Sequence, residues 1–247
     1  MAGTAIVRSV PRSYDRCLRE VDCSIDVEVA RRQHEAYVEA IRGAGWQVLS
    51  LAPLDDAPDS VFVEDPVVVL DRHAVVANVG APSRRGEAKS IAPSLSQRVV
   101  VTMQPPATLD GGDVLRVGRT LFVGLSQRTN RAGFEVLAAI ARAEGLDPVA
   151  VPLGAGLHLK SACSPLGEGV IGRFDRVDRG PFVARGVPTL DAPEPWGANV
   201  LDLGASVLVS AAAPETAQRI GDRARVVDVS EFHKGDGALT CLSIRMS

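Results

Sequence analysis

The chain has 247 residues, 46% hydrophobic and 23% charged, which is enough apolar material for a sizeable core. Its 27 basic and 30 acidic residues are mixed along the sequence and sum to −3, so it carries no electrostatic footprint for nucleic acid or an anionic membrane. No apolar run approaches the roughly eighteen residues of a membrane span, and the opening MAGTAIVRSVPRSYDR lacks a cationic segment followed by a long apolar stretch, so a cytoplasmic location is expected.

In chain order, TAIVR predicts a strand, residues 26–42 a helix and WQVLSL a second strand. Val27, Ala30, His34, Tyr37 and Ile41 form one stripe at helical spacing before Gly43 and Gly45 end the helix. VFVED reads as an apolar strand with Glu64 and Asp65 directly after it. PVVVL and AVVANV, separated by a short polar turn, predict a hairpin, followed by a helix over 84–97 and the strand VVVTM. DVLRV and TLFVGL repeat the pattern, with a helix over 130–144 whose Phe134, Leu137, Ala138 and Ala141 face one way, and then the strand DPVAVPL. Residues 157–172 open a less regular unit of similar length. NVLDL, SVLVSA, a helix over 213–223 and ARVVDV make a further clear copy.

The repeating unit is therefore ββαβ. The N-terminal unit lacks an opening strand, whereas LTCLSIRM is a terminal strand with no helix after it. Letting that strand complete the first unit gives five similar units in a ring, within one domain spanning 1–247. Residues 14–24 carry no clear period and form a candidate lid.

Cys17, Cys23, Cys163 and Cys241 are too few and too scattered for a disulfide scaffold, and none forms the close pairs of a zinc site. Cys241 reads as part of the last strand, after the polar, glycine-containing HKGDGALT. His158 reads as the start of a strand after the GAG turn of LGAGLHLKS, at the same relative place in its own repeat. Strand edges at one end of a propeller converge on its axis, so the fold can join this thiol to a proton partner distant in sequence. Glu64 and Asp65 at one strand end, and Asp110 and Asp113 around two glycines at another, add carboxylates. Arg84 in PSRRGE and Arg128 in LSQRTN add forks that suit a carboxylate. Carboxylates for a cationic end and arginines for an anionic end describe an amino acid with a basic side chain. His34 sits on the helix stripe and is expected to be packed, while His73 and His233 fall in turns and are expected to be solvated.

At this point the sequence resembles the dimethylarginine dimethylaminohydrolase family of the guanidine-modifying pentein superfamily. The matching segments are PDSVFVEDPVVV, PSRRGE, TLDGGDVLRVG, VGLSQRTN, LHLKSACS, ANVL and GDGALTCLSIRM, in the family's order and spanning nearly the whole chain. The resemblance implies an α/β fold, a five-bladed α/β propeller. It implies Cys241 as nucleophile, His158 as general acid and base, and Asp110 as the carboxylate orienting that histidine, where some members have Glu. Glu64 and Asp65 would grip the guanidinium, Arg84 and Arg128 the α-carboxylate, and Asp59 with the backbone near Leu18 and Gly235 the α-amine. Family members carry a larger aliphatic residue in place of Gly235. Cys17 and Cys23 receive no role.

The implied reaction hydrolyses an Nω-methylated arginine to citrulline and an alkylamine through a covalent Cys241 thiouronium, with neither metal nor organic cofactor. A relative that deiminates arginine or agmatine, and a non-catalytic binding propeller, are the alternative readings. The expected partner is the small-molecule substrate, with no nucleic acid or membrane; a homodimer is left open. Two further expectations follow from charge: the resting Cys241 is a thiol that substrate binding activates, and Cys241, His158 and a carboxylate could trap zinc.

Overall fold

Five three-stranded sheets build the computed structural model, which describes residues 3–154 and 156–246. The first holds β1 (Thr4–Arg8) and β2 (Gln47–Leu51). The second holds β3 (Val67–Val69), β4 (His73–Val76) and β5 (Val99–Thr102). The third holds β6 (Val114–Val117), β7 (Thr120–Leu125) and β8 (Asp147–Pro152). The fourth holds β9 (Cys163–Leu166), β10 (Gly169–Gly172) and β11 (Thr189–Asp191), and the fifth β12 (Leu201–Asp202), β13 (Val207–Ser210) and β14 (Ala224–Val227). The last strand, β15 (Ile244–Met246), returns to pair antiparallel with β1, opposite Ile6 through Ile244, and so completes the first sheet. In every sheet the inner pair is antiparallel and the outer pair parallel, the latter because a crossover segment intervenes.

The ring closes because successive side chains in a strand face opposite ways, and each middle strand feeds two cores. Ile6 packs with Val67 and Ala74 of the second sheet, whereas its neighbours Ala5 and Val7 pack with Leu201 and Leu208 of the fifth. Leu121 and Val123 face the second sheet, and Phe122 between them faces the fourth. Ile171 turns toward Val207 and Val209 while Val170 turns back to the third sheet. Five apolar cores therefore lie between five pairs of neighbouring sheets, which is why the middle strands β10 and β13 are wholly buried.

Among the described residues six α-helices accompany the sheets: α1 (Val27–Gly43), α2 (Arg131–Ala143), α3 (Leu159–Ala162), α4 (Gly180–Val183), α5 (Pro214–Ile220) and α6 (Ser230–His233). Asp26 caps α1, accepting from the backbone N–H of Glu28 and Val29 at 3.0 Å each, a contribution of about 1 kcal/mol. The expected stripe is buried at Ala30, His34, Tyr37 and Ile41. Asn130 caps α2 in the same way, through the N–H of Gly133. Among the described residues no helix is long and apolar enough to cross a membrane.

The structure corrects the sequence reading at several places. Residues 84–97 are not a helix but part of three short 3-10 turns, Pro82–Arg84, Glu87–Ser90 and Ala92–Leu95. Pro93 can donate no backbone hydrogen bond, and the side chains of Arg84 and Glu87 are both turned inward onto each other. VFVED is a string of turns before β3, its Val61, Phe62 and Val63 all buried, so Glu64 and Asp65 precede a strand instead of following one. His158 does not start a strand; it is the N-cap residue of α3, with β9 beginning at Cys163. Cys241 lies in the 3-10 turn Thr240–Leu242, ahead of β15. Neither remaining histidine is simply solvated. His233 is stacked face to face on Trp196, ring centroids 3.7 Å apart, and burial depresses its pKa to about 4; His73 Nδ1 lies 2.5 Å from Glu144 Oε1. Ala155, part of the GAG turn expected from sequence, lies outside the described residues.

Candidate active site

One rule places the chemistry: the predicted groups sit just before the first strand of a sheet. Glu64 and Asp65 precede β3, Asp110 precedes β6, His158 precedes β9 and Cys241 precedes β15. Because β15 packs on β3, and β9 on both β6 and β12, these strand entrances gather at one end of the ring.

His158 is 6% exposed and its ring is held from two sides. Its Nε2 lies 3.0 Å from Asp110 Oδ2, and its Nδ1 3.9 Å from Asp65 Oδ1. Asp110 is itself fixed, accepting from Gly80 N–H at 2.7 Å and donating its backbone N–H to Thr129 Oγ1. Burial opposes charge on the imidazole, but Asp65, the Asp110 hydrogen bond and Asp113 outweigh it and push the pKa up to about 9. Asp113 fixes the backbone on which His158 is carried: its Oδ1 accepts from Leu159 N–H at 2.8 Å, and its Oδ2 accepts from Ser126 and Thr129 hydroxyls at 2.6 Å each. Burial raises the Asp113 pKa despite His158 and these donors.

Cys241 is partly accessible, and its backbone carbonyl accepts from Glu64 N–H at 3.3 Å. Burial, then the carboxylates of Glu64 and Asp65, push its thiol up to about 12. Glu64 accepts from Lys160 Nζ in a close ion pair and from Thr240 Oγ1 at 2.8 Å. Thr240, next to the cysteine, is locked by Asn199: it donates its N–H to Asn199 Oδ1 at 3.0 Å and accepts from Nδ2 at 3.1 Å, while the same Nδ2 also donates to Lys160 carbonyl at 2.7 Å.

Asp65 belongs to both halves of the site. Burial would raise its pKa, but His158 and Arg84 overcome this and hold it below the usual carboxylate range. It accepts from Gly112 N–H at 3.1 Å and from Arg84 Nη1 at 2.6 Å. The DGGD glycines permit this close packing, since a Cβ on Gly111 would fall 2.0 Å from Glu64 carbonyl oxygen.

The other predicted residues are placed as follows. Asp59 is buried, accepts from Leu18 N–H at 3.1 Å, and has its pKa raised by burial against the pull of Arg84. Leu18 itself is exposed. Arg84 is buried and almost fully committed: Nε and Nη2 donate to Glu87, Nη2 also to Phe62 carbonyl at 2.9 Å, and Nη1 to Asp65. Burial disfavours its charge, but Asp65 and Glu87 raise its pKa well above the ordinary value. The Arg128 guanidinium makes no ion pair among the described residues, although its charge reaches Asp59. Gly235 abuts the candidate lid, for a Cβ there would meet Cys17 Sγ and Tyr14 Oη at 2.8 Å each. Tyr14 and Cys17 are buried, so the first part of segment 14–24 is anchored to the core; farther on, Glu20 N–H donates to Asp236 Oδ2 at 2.6 Å.

Lys160, Thr240, Asn199 and Glu87 were not singled out by sequence. All four lie inside or beside segments that were, but lysine, threonine, asparagine and a single glutamate carry no chemical signature without their partners. Asp65, Asp110 and His158 bring their ligand atoms within 4.8 Å of one another, the histidine-and-carboxylate part of the zinc expectation; this group contains no sulfur.

Comparison with known proteins shows the family. A family described as N,N dimethylarginine dimethylhydrolase, eukaryotic, matches residues 13–161. An N(G),N(G)-dimethylarginine dimethylaminohydrolase of Streptomyces coelicolor is 43% identical over 97% of this chain and 95% of its own. The Pseudomonas aeruginosa enzyme, solved as a cysteine-to-serine mutant complexed with citrulline, superposes with a TM-score of 0.93 at 31% identity, covering 99% of each chain. A dimethylarginine dimethylaminohydrolase solved as a histidine-to-glycine adduct with S-methyl-L-thiocitrulline superposes with a TM-score of 0.94 at 32% identity, covering all of both chains. The five mixed sheets are those of the pentein fold, and the chain belongs to the dimethylarginine dimethylaminohydrolase family.

Proposed function

We propose that this protein hydrolyses an Nω-methylated arginine to citrulline and an alkylamine, with Cys241 as nucleophile. The observation that carries the reading is the position of Asp65, which adjoins the His158 imidazole and exerts its charge on the Cys241 thiol, beside a second carboxylate, Glu64. That is a cation-binding floor between a nucleophile and an acid/base.

A guanidinium entering this floor brings positive charge to Glu64 and Asp65, which together with burial hold the thiol protonated. Its arrival lowers the cost of the thiolate, and the thiol proton leaves to water. Sulfur attacks the guanidinium carbon, the C–N bonds lose their delocalisation, and a tetrahedral adduct forms. His158, charged near neutral pH, protonates the substituted nitrogen, which departs as methylamine or dimethylamine and leaves a thiouronium. Neutral His158 then takes one proton from water as its oxygen attacks the same carbon; the C–S bond breaks, the second water proton passes from the new hydroxyl to sulfur, and citrulline leaves with His158 charged and the thiol restored. Asp110 holds the imidazole for both transfers.

At the far end of the substrate, Arg128, which makes no ion pair among the described residues, and the remaining Nη1 N–H of Arg84 take the α-carboxylate; the charges of both arginines act on Asp59. Asp59, the carbonyl of Leu18 and the backbone at Gly235 receive the α-amine. Incubation with methylated arginines tests the proposal: citrulline and stoichiometric alkylamine are expected, with Cys241→Ser inactive. Ammonia from unmethylated arginine as the faster product would replace it with the deiminase reading.

A further inference from the structure

A cavity of about 490 Å³ is lined by residues of β3, β6 and β15, with Glu64 and Lys160 at its border with the candidate active site. Four cations reach it, Arg98, Arg116, Lys160 and Arg245, against two carboxylates, Glu64 and Asp71. Both carboxylates are already taken. Asp71 is paired with Arg116 through two contacts of 2.6 and 3.2 Å, and Glu64 with Lys160. Among the described residues, Arg98 donates to Leu70 carbonyl at 3.2 Å and Met246 Sδ at 3.4 Å, and Arg245 to Asp202 carbonyl at 2.5 Å, all neutral acceptors. Among the described lining residues cations outnumber carboxylates four to two, with the charge of Arg98 also reaching Asp71; the remaining walls include Val67, Leu115 and Ile244, and low-dielectric walls strengthen the field that the excess positive charge projects.

We infer that this cavity is a binding site for a small divalent oxyanion of phosphate type, held by Arg98 and Arg245 and coupled to the active site through Lys160. The coupling follows from geometry. The Lys160–Glu64 pair lines the cavity, and Glu64 is also the carboxylate that faces Cys241. An oxyanion in the cavity offers Lys160 a second negative partner and so weakens its hold on Glu64. Glu64 then interacts more strongly with a guanidinium on the other side. The effect is reciprocal, because a guanidinium on Glu64 releases Lys160 toward the anion.

Binding of the anion is independent of the reaction proposed above, whereas the coupling rests on the placement of the guanidinium against Glu64. Calorimetric titration of the full chain carrying Cys241→Ser with inorganic phosphate, against chloride at equal ionic strength, separates the two. Saturable binding of one phosphate is expected, retained when citrulline is in excess, and weakened at least tenfold by Arg98→Gln/Arg245→Gln. Each single substitution gives an intermediate affinity, and circular dichroism confirms that the half-buried arginines are dispensable for folding. Phosphate should also tighten arginine binding several-fold. Absence of saturable binding, displacement of phosphate by citrulline, or indifference to the arginine substitutions would overturn the site. Phosphate that binds without altering arginine affinity would overturn its coupling through Lys160, and arginine that fails to bind at all would count against the proposed reaction instead.

Discussion

Gly112 lies directly against the imidazole of His158: a Cβ on it would sit 2.6 Å from Nδ1 and 2.9 Å from Asp65 Oδ1. The ring therefore cannot keep its place if residue 112 gains even a methyl group. Gly112→Ala should lower kcat/KM by about 100-fold, the order expected when a catalytic group is moved by an ångström, with the fold retained. Steady-state citrulline assays alongside far-ultraviolet circular dichroism check this; wild-type activity in a folded variant would show that the imidazole has another position from which to act.

The charge on His158 should be visible in stability. Its pKa is about 9 in the folded protein and about 6.5 in an unfolded chain, so the stabilisation is fully present below about 6.5 and is lost as pH rises toward 9. A shift of that size corresponds to roughly 3 kcal/mol. Melting temperatures should fall over that interval, and the fall should be smaller in Asp110→Asn, which removes the charged acceptor. A slope unchanged by the substitution would assign the pH dependence elsewhere.

Cys241 should behave as an unactivated thiol until a cation arrives. Its pKa of about 12 predicts negligible thiolate absorbance near neutral pH in the free protein, and a downward shift on adding a non-reacting arginine analogue. Glu64→Gln should lower the pKa of the free protein, because it removes the largest charge contribution opposing the thiolate. Ultraviolet titration of the thiolate, with Cys241→Ala as the blank, measures both; a thiol already ionised at neutral pH without ligand contradicts the scheme.

Gly235 should tolerate no side chain while Cys17 and Tyr14 occupy the space beside it. Gly235→Ala is expected to cost about 1–3 kcal/mol, as overpacking of a tight site usually does. In a Cys17→Ala/Tyr14→Phe background, which removes both atoms a Cβ would strike, the same substitution should cost less than half as much. Denaturant unfolding of the four proteins gives the coupling directly; strict additivity would mean that the glycine serves its backbone conformation alone.

The ββαβ repeats, the ring and the return of the last strand were legible in the sequence because they rest on simple patterns: alternation along strands and one apolar stripe per helix. Candidates for the thiol, imidazole, carboxylates and arginines could be named from the sequence too, since few residue types can perform such chemistry. Their exact seats were not. Cys241 and His158 look like strand residues in sequence, yet each is held in a turn by partners far along the chain, Cys241 through Glu64 and Asn199-bound Thr240, His158 through Asp110 and Asp113. Residues 84–97 have a helical composition, but the Arg84 and Glu87 pairing draws both side chains inward, where a continuous helix would place them on its surface. Periodicity records which way a side chain faces within its own element; what it touches across the ring is fixed only when five sheets close on a common axis.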